Sequence, residues 1–413
     1  MSALSLLWWG TGSLAAPVLR GMLRRRVQRG KELPERLPER RGIDSTPRPP
    51  GKLLWLHAAS VGETVSMLPV LESLRDVPGV TVLVTTGTLT SARLLAQRCP
   101  GVLHRFVPLD VPRWVARFLD HWRPDAAAFL ESELWPNLLA ACRARGVRLM
   151  LLNARLSARS QAGWARAPGF ARRVIGSFDQ VWAQSAADAA RFQALGARGV
   201  CAPGNLKLAA PPLPVDSVLL TQLQAQLGDR PRWLAASTHE GEEAIAAAVH
   251  AQLMAAHPGL LTIIVPRHPE RGPAIAAQLN AARRSSGEPP PAEGIWVADT
   301  LGELGLMYRL CPIVFMGKSL AGQGGQNPLE AARLGCAVAA GPHMANQAEA
   351  VAMMTEAGGL ARVPDGVALA AWVDAMLRDP ARRRAMGDAA QQAASADADL
   401  PQRAAAALLA MAG

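Results

Sequence analysis

The hydrophobic positions of this chain fall into short apolar runs separated by glycine, proline and polar clusters. The first, Leu53-Leu54-Trp55-Leu56-His57, is continuous and too short for a helix, and reads as a strand buried on both faces. Small residues, Ala58-Ala59-Ser60-Val61-Gly62, make a turn. From Glu63 the spacing becomes helical, with Val65, Leu68, Val70, Leu71 and Leu74 on the inner face. Further runs at Thr81–Thr85, Val102–Val107, Ala126–Leu130, Leu149–Leu152 and Gln180–Ala183 predict strands, with a helix from Ser91. Pro211-Pro212-Leu213-Pro214 interrupts the pattern as a linker. It restarts with strands at Trp233–Ala236, Leu261–Val265, Ile295–Val297, Ile313–Met316 and Ala337–Ala340, and a helix over Glu242–Ala256. The stretch Asp365–Gly413 is alanine-rich and reads as helices. Such alternation predicts fold class α/β, with parallel sheets covered on both faces. Two Rossmann-like, doubly wound domains facing a central cleft are expected, over residues 31–210 and 211–413, after an N-terminal segment of residues 1–30.

In that segment Ala3–Leu19 is mostly apolar, and Arg20, Arg24, Arg25, Arg26, Arg29 and Lys31 follow at once. At ~1.5 Å per residue it reaches about 26 Å as a helix, marginal for crossing a bilayer. Its charge comes after the apolar run, the reverse of a secretory leader. If it spans, the positive-inside rule leaves the bulk of the protein on the cytoplasmic side. An interfacial helix with arginines on acidic head groups is the second reading, and a soluble docked helix the third. Glu32–Pro50, rich in Pro, Glu and Arg, reads as an irregular, solvated connector.

The net charge of +11 favours anionic partners. Aromatics are only 5% of the chain and no basic stripe carries interleaved rings, which argues against nucleic acid. An anionic membrane surface or anionic small substrates remain. Five widely spaced cysteines without a Cys-x-x-Cys suggest neither a zinc site nor a disulfide framework, and fit a reducing cytosolic setting.

Candidate chemistry gathers just past the strands, where open α/β sheets bind ligands. Glu63 can be a base there, or a first-turn acid complementing the helix dipole. Glu131 and Glu133 of Glu131-Ser132-Glu133-Leu134-Trp135-Pro136-Asn137 can orient a base or stabilise charge, or cap a helix. Asn153-Ala154-Arg155-Leu156-Ser157 offers an amide, a guanidinium and a hydroxyl to a phosphate or sugar. Lys207, in Gly204-Asn205-Leu206-Lys207, can neutralise a leaving phosphate, or is simply solvated. The second half carries Ser237-Thr238-His239-Glu240-Gly241-Glu242-Glu243, Pro266-Arg267-His268-Pro269-Glu270-Arg271 and Asp299-Thr300-Leu301-Gly302-Glu303-Leu304. A glycine-rich loop from Gly317 runs to a helix start at Asn327-Pro328-Leu329-Glu330, a ready anion site, with Glu330 suited to a ribose hydroxyl pair. Its spacing is neither a Walker A loop nor the Rossmann fingerprint. His57, His104, His121, His250 and His257 read as structural or solvated.

Together the stretches WLHAASVGE, ESELWPN, NARLS, GNLK, STHEGEE, PRHPER, TLGEL, GGQNPLE and GPHMANQAE, in this order over Leu53–Glu349, resemble the 3-deoxy-D-manno-octulosonic acid (Kdo) transferases of lipid A assembly. The resemblance implies a GT-B glycosyltransferase with a membrane-anchor helix, inverting and independent of any metal or cofactor. It implies CMP-Kdo as donor and a lipid A precursor as acceptor, at the cytoplasmic face of the inner membrane, with anionic lipids as partners and no nucleic acid. Glu63 is then the base, and Glu131 and Lys207, with Glu133 as substitute, stabilise the transition state. The CMP contacts fall on Pro266, Arg267, Gly302, Glu303, Leu304, Asn327, Pro328, Leu329 and Glu330. Apart from the resemblance, the residues themselves offer Asn153, Arg155, Ser237, His239 and His268, with Glu133, as supporting candidates. Two positions depart from the family pattern: Lys318 replaces a small residue, and Gln326 a frequent histidine. A GT-B transferase using a uridine nucleotide sugar, or a non-catalytic membrane-surface binding protein, are the alternatives.

Overall fold

Each apolar run that predicts a strand is one in the computed structural model, which describes residues 8, 10, 12–209, 212–322 and 324–413. The first unit comprises Met1–Ala210 together with Asp399–Gly413, and the second Pro211–Ala398. The first holds β1 (Lys52–Ala58), β2 (Val80–Thr86), β3 (Leu103–Phe106), β4 (Ala126–Leu130), β5 (Arg148–Ala154), β6 (Gln180–Ala183) and β7 (Val200–Cys201). Their order is β3-β2-β1-β4-β5-β6-β7, and the neighbours pair in parallel. The second holds β8 (Arg232–Thr238), β9 (Leu261–Pro266), β10 (Ala282–Arg283), β11 (Gly294–Val297), β12 (Ile313–Met316), β13 (Ala337–Ala340) and β14 (Leu360–Arg362). Here the parallel order is β10-β11-β9-β8-β12-β13-β14. Both sheets are doubly wound. The order reverses between β1 and β4 in one, and between β8 and β12 in the other, so each unit has one topological switch point.

Alternation along β1 builds both faces of the first sheet. Leu53 and Trp55 join Phe118, Trp122, Phe129 and Phe178 on one side, with the Trp55 ring edge-on to Phe129 at 4.9 Å. Leu54 and Leu56 join Met67, Val70 and Leu74 on the other. The last helix, Leu400–Met411, adds Leu400, Ala404, Ala405 and Leu408 to that second cluster. Residues 399–413 therefore belong with the first unit, a correction to the expected second domain of 211–413. Helical spacing marks an apolar face, not which sheet that face covers. In the second unit Trp233, Ile264, Ile313, Phe315 and Val373 form the main core.

The connector 32–50 is not a solvated loop. Glu32 and Arg40 are both buried, and pair through Arg40 Nη2 to Glu32 Oε1 at 3.0 Å and Nε to Oε2 at 3.2 Å. Arg40 also donates to the Gly87 carbonyl at 2.7 Å, and Glu39 accepts the Phe106 N–H at 2.7 Å. Removing one partner of such a buried pair costs about 3–5 kcal/mol. Of the expected anchor, residues 1–7, 9 and 11 lie outside the described residues. The helix Ala16–Gln28 buries Ala16 and Leu23 and leaves Val18 and Met22 exposed. Among the described residues no helix is long and apolar enough to cross a membrane.

Candidate functional site

In the first unit the expected residues converge at the switch point. Ser60 caps the helix Val61–Arg75, accepting the Glu63 N–H at 3.3 Å. The Glu63 carboxylate reaches back, with Oε1 accepting from Ser60 Oγ at 2.8 Å and Oε2 from the Ala59 N–H at 2.7 Å. This is a variant of the capping box, with the carboxylate on the Ala59 N–H in place of the N-cap N–H, and it places Glu63 in the first turn as the helix-start reading has it. It also aims the group. Two donors fix both oxygens and leave further lone pairs of a 9% exposed carboxylate to accept a proton. Burial pushes Glu63 above the usual carboxylate range against those two bonds, and the charges of Glu133 and Glu131 push the same way.

Glu131 follows β4 with φ +53° and Asn153 ends β5 with φ +54°. Of the six non-glycine residues at positive φ among those described, four stand at strand ends: Glu131, Asn153, Ser237 and Lys318. Backbone in this region costs on the order of 1–3 kcal/mol and gathers where function over-determines it. Glu131 Oε1 lies 2.5 Å from Lys207 Nζ. Lys207 is placed by two amides: Asn153 Oδ1 accepts the Leu206 N–H at 2.9 Å, and Asn205 Oδ1 the Lys207 N–H at 3.0 Å. Arg155 contributes its carbonyl, which accepts from Ser132 Oγ at 2.5 Å, while its side chain is exposed.

Glu133 accepts from Trp135 Nε1 at 2.5 Å and faces His57 Nε2 at 3.2 Å. His57 is buried on β1, with Nδ1 2.9 Å from Thr85 Oγ1. A carboxylate only accepts, so His57 Nε2 carries the proton between them. Burial pushes Glu133 up, but the bonds from His57 and Trp135 and the histidine's charge outweigh it and hold Glu133 below the usual range. His57, expected to be only structural, is thus part of the site. Its signal was a polar side chain near the carboxyl end of an otherwise apolar strand.

In the second unit Ser237 takes φ +55° at the end of β8, and the helix Glu242–Leu253 follows. His239 Nε2 lies 3.2 Å from Gln326 Nε2, and its ring stands edge-on to His268 at 5.8 Å. Burial and the charge of Lys318 hold His239 below its ordinary value. Glu243 accepts from Thr238 Oγ1 at 2.9 Å and pairs with Arg271 at 2.8 and 3.2 Å. Pro266 is buried and Arg267 exposed at the end of β9. Burial raises Glu330 against a hydrogen bond from Asn327 and the charges of Arg333 and Arg267.

Three features of the second unit bear on the expected donor residues. The helix at Asn327–Glu330 is a single turn, Leu329–Ala332, too short for an anion-binding dipole, and Pro328 and Leu329 are buried packing. Glu303 is tied to Arg284 through both oxygens, one at 2.7 Å, and also to Thr300, which hold it below the usual range; its carboxylate is engaged, and Gly302 and Leu304 flank it. In the loop after β12 the amides of residues 318–321 are already engaged. Those of Lys318, Ser319, Leu320 and Ala321 point at Glu242, at 2.6, 2.8, 2.9 and 3.4 Å. Among the described residues no group of three or more His, Cys, Asp or Glu is arranged to hold a metal ion.

Residues 35–210 match the family described as 3-deoxy-D-manno-octulosonic-acid transferase (kdotransferase). The chain is 37% identical over 384 residues to a probable 3-deoxy-D-manno-octulosonic acid transferase, mitochondrial, of Arabidopsis thaliana, covering 88% of this chain and 86% of that one. It is 37% identical over 377 residues to the 3-deoxy-D-manno-octulosonic acid transferase of Bordetella pertussis, covering 86% and 87%. Among solved structures, a UDP-GlcNAc 2-epimerase from Neisseria meningitidis bound to UDP-GlcNAc superposes with TM-score 0.54 at 14% identity, covering 87% of this chain and 99% of that one. That likeness concerns the fold alone, which is GT-B: two doubly wound parallel-sheet units in one chain.

Proposed function

From the premise that this chain belongs to the 3-deoxy-D-manno-octulosonic acid (Kdo) transferase family, we propose how its residues carry out Kdo transfer. The protein is a glycosyltransferase of lipopolysaccharide biosynthesis. The donor is CMP-Kdo and the acceptor a sugar hydroxyl of a lipid A precursor. Glu63 removes the hydroxyl proton as the oxygen attacks the anomeric carbon. The bond from that carbon to the CMP phosphate oxygen breaks, and CMP leaves with the electron pair. Attack opposite the leaving group inverts the centre, through the oxocarbenium character common to glycosyl transfer. Lys207, braced by Glu131, supplies positive charge to the transition state. The donor is held by the strand ends of the second unit, through Arg267, His239, Asn327 and Glu330. No step uses a metal.

One observation carries this reading. Two carboxylates at one switch point have different partners: Glu63 accepts the Ala59 N–H and Ser60 Oγ and is pushed up by burial, whereas Glu133 faces His57 Nε2 and accepts from Trp135 Nε1, which hold it down. Environments that separate paired acids in this way mark a base and its electrostatic partner. The test is mass spectrometry of lipid A precursor incubated with CMP-Kdo and the protein. A product heavier by Kdo is expected with the wild type and none with Glu63→Ala, which should still bind CMP. Full turnover by Glu63→Ala would remove the base.

The exposed apolar residues Trp8, Leu14, Val18 and Met22 lead in sequence into the basic stretch of Arg20, Arg24, Arg25 and Arg26. They support docking in the plane of an anionic membrane, on the cytoplasmic face of the inner membrane. Deleting residues 1–29 should weaken sedimentation with anionic vesicles; unchanged sedimentation would move the contact elsewhere.

A further inference from the structure

The loop after β12 has the shape of an anion receptor that is already full. Glu242, the first residue of a helix of 12 residues, is 0% exposed. Its oxygens accept five backbone N–H groups, from His239 at 2.9 Å and from Lys318, Ser319, Leu320 and Ala321. Successive N–H groups turned to one point make a nest that binds anions in many phosphate loops. Here the chain's own carboxylate sits in it. The contact also bridges the switch point, because Glu242 follows β8 and the loop follows β12. Gly317 permits the approach: a Cβ there would lie 2.4 Å from the Ser237 carbonyl oxygen.

Two consequences follow. A phosphate arriving at this edge cannot use the 318–321 amides and needs a side-chain cation. Arg271 is engaged by Glu243 and Arg284 by Glu303. Lys318, half-buried, makes no ion pair with a described residue, and its N–H shares Glu242 Oε2 with the N–H of His239, which contacts Gln326 and faces His268. The nest also fixes the direction of that lysine. With its N–H held at 2.6 Å, Lys318 stays at φ +59°, a conformation a free lysine seldom adopts.

We propose that Glu242 is a positioning residue whose carboxylate fills the amide nest of the 318–321 loop and so presents Lys318, a further binding residue, to the anionic group of the nucleotide-sugar donor. The inference rests on the donor reading given above.

Calorimetric titration of the full-length protein with CMP and with cytidine tests it. Lys318→Met should weaken CMP by about tenfold or more, as loss of a charge-assisted bond does, and leave cytidine binding unchanged. Lys318→Arg should restore much of the loss. Glu242→Gln should reproduce the phosphate-selective loss and raise the KM for CMP-Kdo more than it lowers kcat. Amide exchange of the unliganded wild type addresses Glu242 without a variant, so it still decides should Glu242→Gln fail to fold. The 318–321 amides should exchange slowly with no ligand present, and fast exchange would overturn the filled nest. An unchanged ratio of CMP to cytidine affinity in Lys318→Met would overturn the role of Lys318 alone. A wild type that binds neither CMP nor cytidine would overturn the donor reading and this inference with it.

Discussion

Glu63 and Glu242 occupy the same topological place in two sheets. Each follows the central strand at a switch point and lies in the first turn of the next helix. Their surroundings differ in kind. Glu63 takes two donors, both from its own turn, and has two other carboxylates for neighbours. Glu242 takes five, four of them from across the switch point. One fold position thus serves two physical purposes. With few donors and like charges nearby, a buried glutamate is held above the usual carboxylate range and keeps lone pairs open. With every lone pair satisfied in a dry site, it becomes a structural anion. The number of N–H groups aimed at the carboxylate separates the two, not the residue type.

The comparison breaks most directly at Glu63. Glu63→Gln should lower kcat by about a thousandfold, within the range for loss of a general base, while CMP affinity stays at the wild-type value. A variant with normal kcat would make the two glutamates alike, both structural. Lys207→Met should cost about a hundredfold in kcat, the order found when a single transition-state charge contact is removed. A change confined to KM would place Lys207 in ground-state binding instead.

Two glycines sharpen the comparison at backbone level. A Cβ on Gly87 would lie 2.6 Å from the Ala59 carbonyl oxygen, as one on Gly317 would crowd Ser237. Gly87→Ala and Gly317→Ala should each lower stability by about 1–3 kcal/mol in urea unfolding. The first should act on kcat, because Ala59 holds Glu63; the second on donor KM, because Gly317 leads into the nest.

The smallest expected effect is on pH dependence. Glu63 must be ionised to act, and its raised pKa moves the acid limb of the rate profile to higher pH. Glu133→Gln removes one of the charges that raise it, so the limb should move to lower pH. A limb that stays in place would mean that the two carboxylates do not sense each other. The same direction bears on folding. The native state keeps the Glu63 proton to higher pH than the unfolded chain, so this group's contribution to stability falls as pH rises through its folded pKa.

Much of this was legible in the residue order because buried parallel strands are unbroken apolar runs, and chemistry at their carboxyl ends sits at fixed offsets from them. Glu63 and Glu131 were singled out that way and Lys207 by its place before the linker, while their roles came only from the family resemblance. The edge strands β7, β10 and β14 escaped, since two or three half-exposed residues carry no period. Charge-rich composition misled in the connector, where Glu32 and Arg40 read as solvated until each is seen to be the other's partner. The glycine loop misled in the opposite way. It was read as leading into an anion-binding helix start at Asn327, and only the fold shows that this helix is a single turn and that Glu242 occupies the 318–321 amides. His57 was set aside because a lone histidine in an apolar strand is usually packing, and its link to Glu133 spans two strands.

The helix Leu400–Met411 completes the core of the first unit although it is made after the whole of the second. The second unit is therefore an insertion in the chain of the first. During synthesis the first sheet must wait, with the faces of β4 and β5 that this helix covers still open, until residues 400–411 emerge. A stop codon or damaging change near residue 400 would then strike the unit that holds Glu63, far from it in sequence, and leave the second unit whole.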